Sequence, residues 1–167
     1  TRNGQLAAAI ADYTEAIRLN PTNGKTYCNR GAAWSKKHDT DKALADYDEA
    51  IRLEPKNAEA RVCRAISRNV KGLRDEARAD LDEAIRLNPH LAKAWYHRGL
   101  VEARLGHLDR AIADFTEVLR LAPEDAFAHC HRGIAYTRNG QLAAAIADYT
   151  EAIRIDPAYP AAHYNRG

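Results

Sequence analysis

The chain has no apolar run long enough to cross a bilayer. Of its 167 residues 29% are charged and the mean hydropathy is −0.57, so no membrane span is expected. It also has no charge excess of one sign. Its 25 basic and 23 acidic residues leave a formal +2, far from the basic signature of a nucleic-acid binder, so any working charge must lie in its placement. Cysteine is scarce and odd in number. Cys28, Cys63 and Cys130 make neither a CxxC pair nor a disulfide framework and are expected to stay reduced; localisation is open, with a cytoplasm-like compartment favoured. The basic start, apolar core and cleavage site of a signal peptide are missing from the opening TRNGQLAAAIADY, which reads as helix.

Catalytic signatures are lacking as well. There is no Gly-rich phosphate loop, HExxH or GxSxG. His129, Cys130 and His131 are consecutive, yet on a helix residues i and i+2 point apart and cannot converge on one reacting atom. Cys63, His97 and His131 fall in one row without a set of three or four ligands at metal spacing. No enzyme site, metal or cofactor is expected.

What the chain does have is a period. Pro21, Pro55, Pro89, Pro123 and Pro157 recur every 34 residues, and only Pro160 lies outside the series. The same interval relates Tyr13, Tyr47, Leu81, Phe115 and Tyr149, then Ala9, Ala43, Ala77, Ala111 and Ala145. Gly31, Ala65, Gly99, Gly133 and Gly167 form a series in which no side chain exceeds a methyl group. Each unit reads as two helices. In the third full unit the spacing predicts Ala92 to Leu105, with Trp95, Gly99 and Glu102 on one face, ended by Gly106; it then predicts Leu108 to Leu121, with Ala111, Phe115 and Val118 on one face, stopped by Pro123. Such a hairpin cannot bury both apolar faces alone, so copies must stack and share a core, the small residues admitting a neighbouring backbone. The expected fold class is all-α, an α-α superhelix (solenoid) of antiparallel helix hairpins.

With Trp95 at the fourth place of its unit, Gly99 at the eighth, Ala111 at the twentieth, Phe115 at the twenty-fourth and Pro123 at the thirty-second, the pattern resembles the tetratricopeptide repeat, over the whole chain. On that register residues 1–23 are a partial repeat, 24–57, 58–91, 92–125 and 126–159 are full repeats, and 160–167 begin another. Residues 1–18 are identical to 137–154, and neither end carries a polar cap, so a fragment or end-to-end stacking is expected. The second full repeat departs from the pattern. Arg61 takes the aromatic place and Arg68 stands where its neighbours have Trp34 and Tyr136, which predicts a weak seam or a site where arginine stems cover a partner.

The resemblance implies that the first helices line a concave groove holding a peptide or protein segment. The thirteenth places, Arg2, Lys36, Val70, Arg104 and Arg138, then form a basic stripe. It is read either as attraction for an acidic segment or as a solvated face whose cations suit helix C-termini. The sixth places are Asn29, Cys63, His97, His131 and Asn165. In the family an Asn here holds the ligand backbone, for which a side-chain amide offers donor and acceptor together. This row is expected to face the groove and add little to the core. The fifth places (Cys28, Val62, Tyr96, Cys130, Tyr164) and ninth places (Ala32, Ile66, Leu100, Ile134) lack the cationic and amide set of the chaperone-binding members, leaving a more apolar floor. Arg30, Arg64, Arg98, Arg132 and Arg166 recur with Asp12, Asp46, Asp80, Asp114 and Asp148 and with Glu15, Glu49, Glu83, Glu117 and Glu151, as an ion-pair ladder between hairpins or a phosphate site. The partner expected is a protein or peptide, an acidic one if the stripe acts. End-to-end self-association, an accessory arm of an enzyme and RNA binding are the competing readings, the last opposed by the balanced charge.

Overall fold

A computed structural model describes the backbone of residues 2–167 and the side chains from residue 4 onward. Among the described residues every regular element is helical. In chain order they are α1 (Arg2–Leu19), α2 (Gly24–Lys36), α3 (Thr40–Leu53), α4 (Ala58–Val70), α5 (Arg74–Leu87), α6 (Ala92–Leu105), α7 (Leu108–Leu121), α8 (Ala126–Arg138), α9 (Leu142–Ile155) and α10 (Pro160–Arg166). The two helices expected in the third full unit coincide with α6 and α7.

Local chemistry sets these boundaries. Asn23, Asn57 and Asp125, each just before a first helix, accept a hydrogen bond from the N–H three residues on: Thr26, Ala60 and Ala128. This satisfies one of the donors that a helix start leaves orphaned. Leu91 and Tyr159 hold the same place without such a bond. Between first and second helices the chain turns through a left-handed residue, Gly106 at φ 85°, with Gly72 and Gly140 alike. His38 takes that conformation at φ 62°, where a Cβ meets the following carbonyl at a cost of about 1–2 kcal/mol.

The chain divides into two compact units, residues 1–88 and 89–167. In the first, α2 pairs with α3 and α4 with α5, while α1 packs on α2 and α3 on α4. In the second, α6 pairs with α7 and α8 with α9; α7 packs on α8, and α10 lies against α9 and α8. The core repeats with the sequence period. Ala43, Ala77, Ala111 and Ala145 are buried, as are Tyr47, Leu81, Phe115 and Tyr149. The small-residue series sits under these bulky ones: a Cβ on Gly31 would meet the Tyr47 ring at 2.9 Å, one on Gly99 the Phe115 ring at 3.0 Å, and one on Gly133 the Tyr149 ring at 2.6 Å. At the corresponding places the second full repeat has Ala65 and Leu81, both fully buried, a larger small residue with a smaller large one.

The proline series has a second use. At the fourth place of each first helix Tyr27, Arg61, Trp95, His129 and His163 bond the carbonyl of the proline six residues earlier, at 3.3, 3.0, 2.9, 3.1 and 3.0 Å. The irregular second repeat therefore keeps its local contacts. Arg61 reaches Pro55 like its aromatic counterparts, and Arg68 donates Nη1 to Asp80 Oδ2 at 2.7 Å. Its residual defects are Arg61 Nε, Ser67 Oγ and Asn69 Oδ1, buried without a hydrogen-bond partner. None of the described helices is long and apolar enough to cross a membrane.

Candidate functional site

The recurring arginines are the simplest to place. Arg30, Arg64, Arg98 and Arg132 each grip one buried carboxylate through Nε and Nη2, on Asp46, Asp80, Asp114 and Asp148 respectively. The partner lies sixteen residues on, in the second helix of the same hairpin. The remaining Nη1 reaches the preceding hairpin: Arg30 to Thr14 Oγ1 at 3.2 Å, Arg64 to Asp48 Oδ1 at 2.6 Å, Arg132 to Thr116 Oγ1 at 3.1 Å. The recurring ion pairs thus lie within each hairpin rather than between hairpins, and the step to the preceding hairpin is a hydroxyl for Arg30 and Arg132 and a second carboxylate for Arg64; a guanidinium fork suits this because it serves two acceptors at once. The second-helix glutamates take no part. Glu15, Glu49, Glu83, Glu117 and Glu151 pair with an arginine three residues on along the same exposed face, a geometry worth only a few tenths of a kcal/mol.

The sixth-place row falls into two chemistries. In the first unit Asn29 is exposed on α2, and Cys63 on α4 is half-buried. The Cys63 and Cys28 thiols, neither of them in a disulfide, share a hydrogen bond that, with burial, pushes the Cys28 thiol far above its ordinary value. In the second unit His97 and His131 are half-buried rather than merely lining a groove. The His131 ring stacks on Phe115 at 5.9 Å and meets the edge of Tyr96 at 5.6 Å, while His97 contacts Tyr96 at 5.5 Å. Burial, helped by the Lys93 charge, lowers His97 to about 4. Burial also lowers His131, with Asp125 opposing and Arg104 adding to the shift. Both rings are neutral at pH 7. The expectation that this row adds little to the core therefore fails at the two histidines, because Tyr96 at the fifth place brings an aromatic wall up beside them. Asn165 is half-buried with its amide 3.9 Å from Cys130 Sγ.

Of the thirteenth places, Lys36 and Val70 are exposed in the first unit and Arg104 and Arg138 in the second. The side chain of Arg2 lies outside the described residues. Val70, 71% exposed, interrupts the stripe. Arg138 donates Nη1 to the carbonyl of Ala103 at 2.8 Å in the last turn of α6, where a cation also satisfies a carbonyl that the helix end leaves open.

A cavity of about 380 Å³ in the second unit is lined by Lys93, Tyr96, His97, Val118, Asp125 and Phe127. It thus includes one sequence-assigned residue, His97, together with Lys93 and Phe127 at the second places of α6 and α8. Phe127 is 56% exposed, with its ring 5.0 Å from Tyr159. The sequence reading missed it by following the sixth and thirteenth rows; the signal available was an aromatic residue at the second place of a first helix. Among the described residues no group of three or more His, Cys, Asp or Glu is placed to hold a metal ion.

Stacked antiparallel hairpins with a small-residue seam define an all-α helical-repeat solenoid. Family models described as TPR repeat match residues 1–38 and 135–167, and models described as tetratricopeptide repeat match 24–57 and 65–126. The chain belongs to the tetratricopeptide repeat family. Among solved structures it is similar to MamA 41-end from Desulfovibrio magneticus RS-1, with TM-score 0.84 and 20% identity over 95% of this chain and 90% of that one. It is also similar to YrrB, described as a TPR protein with an unusual peptide-binding site, with TM-score 0.80 and 24% identity over 96% and 83%. A third is a thermophilic TPR protein from Thermus thermophilus, with TM-score 0.77 and 22% identity over 98% and 89%.

Proposed function

We propose that the chain is a non-catalytic interaction scaffold in which each unit presents its first helices, those of repeats 24–57 and 58–91 in the first and of 92–125 and 126–159 in the second, to a peptide or protein segment. The observation that carries this reading is the cavity beside Tyr96 and His97, which opens among first-helix places that the repeat register turns toward a ligand. The likeness to YrrB, itself described as having a peptide-binding site, supports it. Asn29, Cys63, His97, His131 and Asn165 supply hydrogen-bonding groups, and Lys36, Arg104 and Arg138 supply positive charge; Arg2 continues that series in sequence. The test is to capture partners with the intact chain and titrate the recovered partner against Asn29→Ala, His97→Gln and the pair Arg104→Ala/Arg138→Ala. Losing one hydrogen bond to a ligand costs about 0.5–1.5 kcal/mol, so each single change should weaken binding by roughly two- to tenfold. Partner binding indifferent to all of them would place the site on another face.

A further inference from the structure

We infer that the cavity of the second unit is the anchoring pocket for a linear segment carrying one large apolar side chain between two acidic residues. This deepens the scaffold reading and rests on it.

The apolar half of the inference comes from the walls. Val118 is fully buried, Tyr96 is half-buried, and Phe127 is left 56% exposed at the rim with one face on Tyr159. An aromatic ring held this open gains by being covered, at about 25 cal/mol per Å² of apolar area removed from water. Burial pushes the Tyr96 phenol up to about 12 and His97 down to about 4, so at pH 7 neither wall adds a charge that an apolar side chain would have to desolvate. The volume of about 380 Å³ lies near the lower end of the roughly 300–1,000 Å³ range of small-molecule clefts. That suits a large side chain with its adjoining backbone.

The acidic half comes from the charges around the rim. Asp125 is the carboxylate at the pocket, and it already caps α8 by accepting from Ala128 N at 3.0 Å. Lys93 and Arg104 on α6 are exposed, and among the described residues neither forms an ion pair with a carboxylate. Arg104 lies close enough for its charge to act on His131, the next sixth-place ring. Eleven helical positions separate the two cations, about 16 Å at a rise of about 1.5 Å per residue. An extended chain covers that in about five residues at roughly 3.3 Å each. Two acidic residues about five apart, with the apolar residue between them, match both cations and the pocket. The first unit offers no such set: at the second, fifth and sixth places it has Lys25, Cys28 and Asn29, then Glu59, Val62 and Cys63.

The experiment selects random octapeptides displayed on phage against the full chain and measures synthetic copies of the winners by fluorescence anisotropy. Phe127→Ser and Lys93→Glu change exposed side chains, and a melting curve for each confirms that the fold is kept. The expected result is enrichment of peptides with a Phe, Trp, Leu or Ile between two acidic residues, at least tenfold weaker on either variant, and weaker still with added salt. Basic or wholly polar winners that lose affinity on Asn29→Ala or on Arg104→Ala/Arg138→Ala overturn the pocket inference and leave the scaffold standing. Winners indifferent to all of these changes, or no enrichment at all, overturn both.

Discussion

Replacing Gly99 by alanine and Phe115 by leucine, singly and together, tests the packing rule on which the whole array is built. A Cβ on Gly99 would lie 3.0 Å from both Cε1 and Cζ of Phe115 and 3.2 Å from Cδ1. The ring has little room to retreat, because it is 1% exposed and bounded by Tyr96 and His131, each with its ring centre 5.9 Å away. Alanine gains about 1 kcal/mol over glycine in a helix interior, but overpacking costs about 1–3 kcal/mol. The single change should therefore range from neutral to about 2 kcal/mol destabilising. Phe115→Leu alone shrinks a buried ring and leaves a void, costing about 1 kcal/mol or more. Together they recreate the Ala65 and Leu81 pair that the second full repeat already uses, with both side chains 0% exposed. The added methyl then enters the space the ring vacates, and the double variant should be at least about 1 kcal/mol more stable than the sum of the singles predicts. Urea midpoints of the four proteins at constant slope measure this. Additivity within about 0.5 kcal/mol would mean that the small and large series do not set each other's size, and the packing argument would fall.

Four further outcomes follow from the same geometry. His97 sits near 4 in the fold against an ordinary 6.5; the unfolded chain takes up its proton first, so stability is full above about pH 6.5 and falls between there and pH 4, by up to roughly 3 kcal/mol. His97→Gln should flatten that part of the melting-temperature profile, and an unchanged profile would refute the assignment. Asp80→Asn, which strands Arg64 and Arg68 beside a neutral amide, should cost about 3–5 kcal/mol, whereas Asp48→Asn at the exposed end of the same ladder should cost about 1 kcal/mol or less; equal costs by denaturation would contradict the burial argument. His38→Gly should stabilise the fold by about 0.5–1 kcal/mol by removing the only positive-φ side chain among the described residues, and a lower midpoint would show that the imidazole outweighs the backbone strain. His131→Ala should lower the melting temperature as well as any groove affinity, because its ring is packed on Phe115; a melting curve identical to the parent's would return it to a purely groove-facing role.

The 34-residue repeat is legible in the order of residues alone, and with it nearly all of the local structure. A 34-residue period in proline, alanine and bulky residues is a statement about faces and breaks, and helix faces and breaks are local. The boundaries of α6 and α7, the turn at Gly106 and the small-residue seam at Gly99 could therefore be read from spacing alone. The ion-pair ladder was legible for the same reason, although which acid each arginine takes was not. Asp46 and Glu49 are three residues apart on one helix, and only the packing of the two helices within the hairpin puts the aspartate under Arg30 and leaves the glutamate to Arg52. The tertiary structure likewise decided what the irregular positions do. Arg61 replaces an aromatic ring without losing the bond to the proline carbonyl, because that bond needs a donor at a fixed distance and is indifferent to the group that bears it. The site depended most on packing between helices. His131, at the sixth place of α8, is wedged between Tyr96 and Phe115 of the preceding hairpin, and a one-dimensional register records the place but not those neighbours.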